Sequence, residues 1–228
     1  MQAVILAAGA GKRLRPLTND IPKPMVVVSG KPILERTLEI LPDEIEEAIM
    51  VVGYKKEKII EYFGGQFGHV RIRYVEQAEP KGTYDALECA KPLLNGGFFL
   101  FLHGDELYHP YDLQRCVESN QPTVLTVETG HPERYGICTV DQNEYLLGVQ
   151  EKPADPKSNL AITGAYLLNS DIFEMSKSES SATKGEYVLA EQIGRWAART
   201  KIKVMRATFW YTVSYPEDVH IADKFLGM

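Results

Sequence analysis

Cationic and flexible residues crowd the start of the chain: Leu6-Ala7-Ala8-Gly9-Ala10-Gly11-Lys12-Arg13-Leu14-Arg15, then Pro22-Lys23-Pro24-Met25. An apolar run, Ala3–Ala7, feeds straight into the glycines. A buried strand that ends in such a loop turns backbone N–H groups outward at the edge of a sheet. There they act as fixed partial positive charges for phosphate oxygens. Gly9 and Gly11 admit positive φ and let a ligand approach the backbone closely. Lys12, Arg13 and Arg15 add full charges, and two prolines hold Lys23 in a restricted backbone geometry. The chemistry this supports is the binding of a polyphosphate. Gly-x-Gly after a strand is common and weak by itself; the pinned lysine and the density of cations make this segment specific.

Four later segments carry further polar chemistry. Gln77-Ala78-Glu79-Pro80-Lys81-Gly82-Thr83 joins an expected strand to an expected helix. The Gln77 amide offers both a donor and an acceptor and could read a base edge, with Gly82 letting the base lie against the backbone. Read alone, the segment is equally a helix-capping loop. Asp105 follows the apolar run Phe98–Leu102 and Gly104, well placed to hold a hard cation near phosphates; a turn or helix cap is the alternative. The third and fourth are Glu133-Arg134-Tyr135-Gly136 and Gln150-Glu151-Lys152-Pro153, the latter followed by Thr163-Gly164. Glu151 suits sugar hydroxyls and Lys152 a phosphate, although each segment in isolation reads as a solvated loop.

The elements that must position these residues alternate. Strand patterns at Ala3–Ala7, Glu47–Gly53, Val70–Val75, Phe98–His103 and Thr123–Val127 are separated by helical patterns at Pro32–Leu41, Lys55–Phe63, Thr83–Leu93 and Pro110–Val117. Continuous apolar strands between helices predict a mostly parallel sheet covered on both faces. Beyond residue 130, Ile137–Val140, Leu146–Val149 and Ala161–Leu168 are strand-like with few helices between them, which predicts a mixed or antiparallel portion. A polar loop at Ser176–Lys184, a helix at Glu186–Arg199, short strands at Lys203–Met205 and Thr208–Val213, and a helix at Pro216–Leu226 follow. In open parallel sheets ligands bind at the carboxyl ends of strands, where the polar segments fall.

The bulk composition is that of a globular protein of 228 residues with 44% hydrophobic and 25% charged residues. A formal net charge of −6 argues against broad binding to nucleic acid or anionic membranes, so the basic N-terminal cluster is a local site. Three dispersed cysteines, Cys89, Cys116 and Cys138, form no metal or disulfide pattern and are expected as free buried thiols. The Ala3–Ala8 run is too short for a signal peptide, and no stretch approaches a membrane span. A cytoplasmic location is expected.

Taken in order, the motifs resemble those of the sugar-1-phosphate nucleotidyltransferases, most of all the glucose-1-phosphate thymidylyl- and uridylyltransferases. The resemblance runs from Met1 to about Asp218 and rests on the opening segment, on Arg134-Tyr135-Gly136, Glu151-Lys152-Pro153 and Gly185-Glu186-Tyr187. Pro156-Lys157-Ser158-Asn159 with Thr163-Gly164 leans towards the thymidylyl branch. The resemblance implies a Rossmann-like, three-layer α/β nucleotide-diphospho-sugar transferase fold, with a nucleotide-binding half (about 1–130) and a sugar-binding half (about 131–228) in one domain. It implies transfer of a nucleotidyl group from a nucleoside triphosphate to a sugar 1-phosphate, with Mg²⁺ as cofactor and pyrophosphate leaving. Arg13 and Lys23 would be catalytic. Leu6, Ala8, Gly9, Gly11, Arg13, Gln77 and Gly82 would bind the nucleotide. Tyr135, Gly136, Glu151, Lys152, Thr163 and Gly164 would bind the sugar phosphate, and Asp105 the metal. Neither nucleic acid nor membrane is expected as a partner, and homo-oligomerisation stays open.

The chain departs from the family at one place. A second metal-binding Asp is usual in a Trp-x-Asp-x-Gly-x-Pro-Glu-like segment, and here the segment reads Trp210-Tyr211-Thr212-Val213-Ser214-Tyr215-Pro216-Glu217. A hydroxyl is a weaker Mg²⁺ ligand than a carboxylate. Either Glu106 or another carboxylate substitutes, or metal binding is weakened and the chain is a catalytically impaired homologue that binds sugar nucleotide as a regulatory or partner subunit. Thr212→Asp is expected to raise Mg²⁺-dependent turnover. A nicotinamide-dinucleotide enzyme is disfavoured: the third glycine is missing, and Val26-Val27-Val28-Ser29 offers no acidic residue for a ribose.

Overall fold

The computed structural model of the chain describes residues 1–226. Its strands are β1 (Gln2–Ala7), β2 (Val27–Val28), β3 (Lys31–Pro32), β4 (Glu47–Val52), β5 (Gln66–Phe67), β6 (Val70–Glu76), β7 (Phe98–His103), β8 (Glu106–Tyr108), β9 (Thr123–Glu128), β10 (Gly136–Val140), β11 (Leu146–Glu151), β12 (Leu160–Asn169), β13 (Lys203–Arg206) and β14 (Trp210–Thr212). Its helices are α1 (Ile33–Glu39), α2 (Lys56–Phe63), α3 (Thr83–Ala90), α4 (Pro110–Glu118), α5 (Leu189–Trp196) and α6 (Pro216–Leu226).

One sheet carries both halves of the chain. Its order is β11-β10-β12-β7-β1-β4-β6-β5, with β9 and β13 branching from β12. Strands β7, β1, β4 and β6 are mutually parallel, and β12 joins them antiparallel to β7. This mixed, mostly parallel sheet is sandwiched between two helical layers. Ala3, Ile5 and Ala7 of β1 face α1, α2 and α4 through Leu34, Ile59 and Leu113. Val4 faces the opposite core, with Leu87 of α3 and Ile193 and Trp196 of α5. Both faces of β1 and β4 are therefore buried, which explains why their sequences are runs of apolar residues instead of alternating ones. No helix among the described residues is long and apolar enough to cross a membrane.

The helix expected at Glu186–Arg199 begins only at Leu189. Glu186–Val188 is held extended because Tyr187 docks on the loop before α3: its N–H donates to Lys81 O (2.7 Å), and its carbonyl accepts from Tyr84 N–H (2.8 Å). The Thr83 hydroxyl then accepts the first free N–H of α5, that of Leu189, at 2.9 Å. The strand expected at Thr208–Val213 shrinks to Trp210–Thr212 because Asp112 accepts the Thr208 and Phe209 N–H groups. Of the cysteines, Cys116 and Cys138 are buried as expected, whereas Cys89 is partly exposed.

Candidate active site

Two adjoining cavities open at the carboxyl ends of the parallel strands. The larger, about 550 Å³, is lined by Arg13, Asp105, Arg134, Tyr135, Glu151 and Thr163 among others. The smaller, about 250 Å³, is lined by Leu6, Ala8, Gly9, Gln77 and Gly82. Lys23, His103 and Asp105 border both. Of the residues expected for a nucleotide, Leu6, Ala8, Gly9, Gln77 and Gly82 gather in the smaller cavity, whereas Arg13 lines the larger one beside the residues expected for a sugar phosphate (Tyr135, Gly136, Glu151, Lys152, Thr163, Gly164). Gly11 lies at a third, smaller opening with Arg13 and Lys23.

The boundary is built by β1 and β7. Lys23 sits in a 3-10 turn, Lys23–Met25, and its Nζ lies 2.5 Å from Asp105 Oδ2. Gly11 makes that approach sterically feasible. It has φ 58°, and a Cβ there would stand 2.9 Å from Lys23 Cβ. Burial pushes the Asp105 carboxyl up, but the ammonium of Lys23 and the neighbouring His103 outweigh it and hold the group below the usual carboxylate value. Burial pushes the His103 imidazole down, but Glu106 and Asp105 raise it, for a net rise.

Glu106 is a buried brace joining four strands. Its Oε2 accepts hydrogen bonds from Trp210 Nε1 (2.5 Å), Gly164 N (3.0 Å) and the Tyr108 hydroxyl (3.0 Å). Its Oε1 lies 3.1 Å from His103 Nδ1. Ligand atoms of His103, Asp105 and Glu106 all lie within 4.8 Å of one another. Glu106 nevertheless fits poorly as the replacement for a carboxylate at position 212, because its Oε2 already accepts three hydrogen bonds and its Oε1 lies against His103. Asp105, whose Oδ2 pairs with Lys23, could offer its other oxygen to a hard cation. That suits Mg²⁺, which takes one or two carboxylates and completes its shell with phosphate oxygens and water. Thr212 pairs directly across the ladder from Glu106, and its hydroxyl lies 3.3 Å from that of Ser214.

The sugar-side lining comes from a break in β12. Its ladder with β9 shifts between Ile162 and Tyr166, taking Thr163 and Gly164 out of regular pairing. Gly164 is required here, because a Cβ would run into the His103 ring and Glu106 Oε2. The Thr163 hydroxyl turns inward to donate to Leu125 O at 3.0 Å, so that hydroxyl is not offered to the cleft. Glu151 ends β11 opposite Gly136, and Lys152 follows at φ 42° with its Nζ 3.1 Å from Glu151 Oε1.

Arg134 and Tyr215 belong to the site as well, although no individual role was read for them from the sequence. The guanidiniums of Arg13 and Arg134 stack on the Tyr215 ring from 5.3 and 5.8 Å. Neither guanidinium forms an ion pair among the described residues. Two guanidiniums without carboxylate partners thus converge on one ring, with donors free for an anion. Glycines and a basic loop mark this in the sequence only in part, because Tyr215 is brought there from the far end of the chain.

Residues 2–226 match the family described as nucleotidyl transferase. Over 227 residues the chain is 36% identical to the bifunctional protein GlmU of Methanocaldococcus jannaschii, covering 99% of this chain and 54% of that protein. It is 38% identical over 236 residues to UTP–glucose-1-phosphate uridylyltransferase AglF of Haloferax volcanii, covering 99% and 96% of the two. The chain spans about half the length of the GlmU proteins it matches. A UDP-glucose pyrophosphorylase solved with UDP-glucose superposes with a TM-score of 0.86 at 24% identity, covering 100% of this chain and 99% of that one, and so shares the fold. The cavities, the basic loop and these matches agree: the chain belongs to the nucleotidyl transferase family.

Proposed function

We propose that the chain transfers a uridylyl or thymidylyl group to a sugar 1-phosphate, with glucose 1-phosphate favoured, and that its two halves work as one catalytic unit. The observation that carries this reading is the Lys23–Asp105 pair standing where the two cavities meet. The base occupies the smaller cavity, against Leu6, Ala8, Gly9, Gln77 and Gly82. The sugar lies in the larger one, against Tyr135, Gly136, Glu151 and the Thr163–Gly164 backbone, with Lys152 on its phosphate. The reacting α-phosphorus is then held at the boundary.

A sugar-phosphate oxygen attacks the α-phosphorus, the new P–O bond forms, and the bond to the β-phosphate oxygen breaks in line. The electron pair leaves with pyrophosphate. Chemistry of this kind asks mainly for positioning and charge neutralisation. Arg13 and Arg134 hold the departing phosphates, and Lys23 offsets charge at the α-phosphate. Each preorganised cation of this sort contributes about 3–4 kcal/mol, by analogy with oxyanion-hole donors. Mg²⁺ held by Asp105 would supply further neutralisation between the triphosphate oxygens. The similarity to a protein named as a UTP–glucose-1-phosphate uridylyltransferase supports the choice of substrates.

The test is a pyrophosphate-release screen of nucleoside triphosphates against sugar 1-phosphates with Mg²⁺. Release is expected with UTP or dTTP and glucose 1-phosphate, and Lys23→Met is expected to lower kcat about 10²–10³-fold. Thr212 favours a second reading, a subunit that binds sugar nucleotide without turnover. Tight nucleotide binding with no release for any pair would support that reading instead.

A further inference from the structure

Gln77 lines the smaller cavity, and Asp85, which does not, holds it from behind. Gln77 is 9% exposed, and its Nε2 donates to Gly82 O at 3.1 Å and to Asp85 Oδ2 at 2.9 Å. A carbonyl and a carboxylate only accept. The orientation of the amide is therefore forced by chemistry: turned over, its oxygen would face two other oxygens. The Gln77 Oε1 is left as a hydrogen-bond acceptor for whatever enters the cavity. Asp85 is itself anchored from behind, with Lys177 Nζ 3.6 Å from its other oxygen, Oδ1. The Gly82 N–H donates to no group among the described residues, so it remains available for a carbonyl on the ligand.

We infer that Asp85 is a positioning residue for base selection: it locks Gln77 as an acceptor, so the cavity takes a base edge that presents an imino N–H beside a carbonyl. Uracil and thymine present N3–H flanked by carbonyl oxygens. Cytosine presents an unprotonated N3, which would meet Gln77 Oε1 as a second acceptor. The pocket pays for cytosine with an unpaired Gln77 oxygen and an unpaired ring nitrogen, which sets discrimination at about 10–100-fold. Asp85 acts only through Gln77 and needs no contact with the nucleotide.

This inference rests on the reading of the smaller cavity as the base site. Its test measures binding, not turnover: titration calorimetry of the full chain with UTP and with CTP, without any sugar phosphate. The wild type is expected to bind UTP about 10–100-fold more tightly than CTP. In Asp85→Asn the side chain can donate as well as accept, so only Gly82 O still enforces the orientation of the Gln77 amide, and the turned-over amide becomes accessible at the cost of that one hydrogen bond. The UTP:CTP ratio is then expected to fall about tenfold, chiefly by tighter CTP binding. A merely structural role for Asp85 would weaken both nucleotides together and leave the ratio unchanged. Asp85→Ser, too short to reach Gln77 and so leaving only Gly82 O to orient the amide, gives the same expected fall in the ratio if the Asn variant does not fold. A wild-type ratio within twofold of one, or an unchanged ratio in the variant, overturns the inference. Failure to bind any triphosphate overturns the base-site reading beneath it, which separates the two failures.

Discussion

Glu106 offers the sharpest mechanical prediction. It is 8% exposed, and three donors from three different strands converge on its Oε2. In Glu106→Gln the amide oxygen can still accept from Trp210, Gly164 and Tyr108, but without charge. Hydrogen bonds to an ionised acceptor contribute about 1.5–3 kcal/mol and neutral ones about 0.5–1.5 kcal/mol, a loss near 1 kcal/mol for each. Summed and discounted for relaxation, the substitution costs about 2–3 kcal/mol. For a domain of this length that corresponds to a fall in Tm of about 4–12 °C. Glu106→Leu orphans the donors outright at about 1–3 kcal/mol each, a large part of the 5–15 kcal/mol that holds a typical domain together. The assay is urea unfolding followed by tryptophan fluorescence, run with and without Mg²⁺. A Gln variant within about 0.5 kcal/mol of wild type would refute the brace. Unchanged stability with lost Mg²⁺ binding would make Glu106 a metal ligand instead.

Three further outcomes follow from the same geometry. Thr212→Asp sets a carboxylate directly across the ladder from Glu106, a like-charge pair costing about 0.2–1 kcal/mol; Tm without Mg²⁺ should drop by about 0.4–4 °C, while Mg²⁺ affinity and turnover rise, and unchanged affinity would contradict the reading of that position. Tyr215→Leu removes the ring that holds Arg13 and Arg134, and at about 0.5–1 kcal/mol per stacked guanidinium the Kd for triphosphate should rise about five- to thirtyfold, as read by calorimetry. Burial pushes the Cys116 and Cys138 thiols up to about 12, so at pH 8 an aromatic disulfide reagent should modify only Cys89 in the native protein and all three in urea.

Much of the fold was legible because β1, β4 and β7 are buried on both faces and so read as unbroken apolar runs between amphipathic helices. The mixed character beyond residue 130 was legible from the missing helices. What local pattern could not convey was contact between distant segments. Tyr187 stays extended because it pairs with Lys81 and Tyr84, so α5 starts late although Glu186–Val188 continues its helical period. The three-residue strands β8 and β14 owe their existence to each other, and neither is long enough to show a period. The same holds at the site. The phosphate loop, Asp105 and Gln77 announce themselves through residue type beside a strand end. Glu106 looked like a spare ligand until the donors of Gly164, Tyr108 and Trp210 were placed on it, and the inward turn of the Thr163 hydroxyl depends on Leu125 O.

The central claim is that one boundary, marked by Lys23 and Asp105, presents a triphosphate to a sugar phosphate. Following an α-phosphorus label from UTP or dTTP tests it most directly, with glucose 1-phosphate, Mg²⁺, and the wild type beside Lys23→Met. The account predicts that the label moves into a nucleotide sugar only when both substrates are present, and that the Lys23 variant transfers it about 10²–10³-fold more slowly. Label that remains in the bound triphosphate whatever sugar 1-phosphate is offered, or that moves equally fast without Lys23, would contradict it.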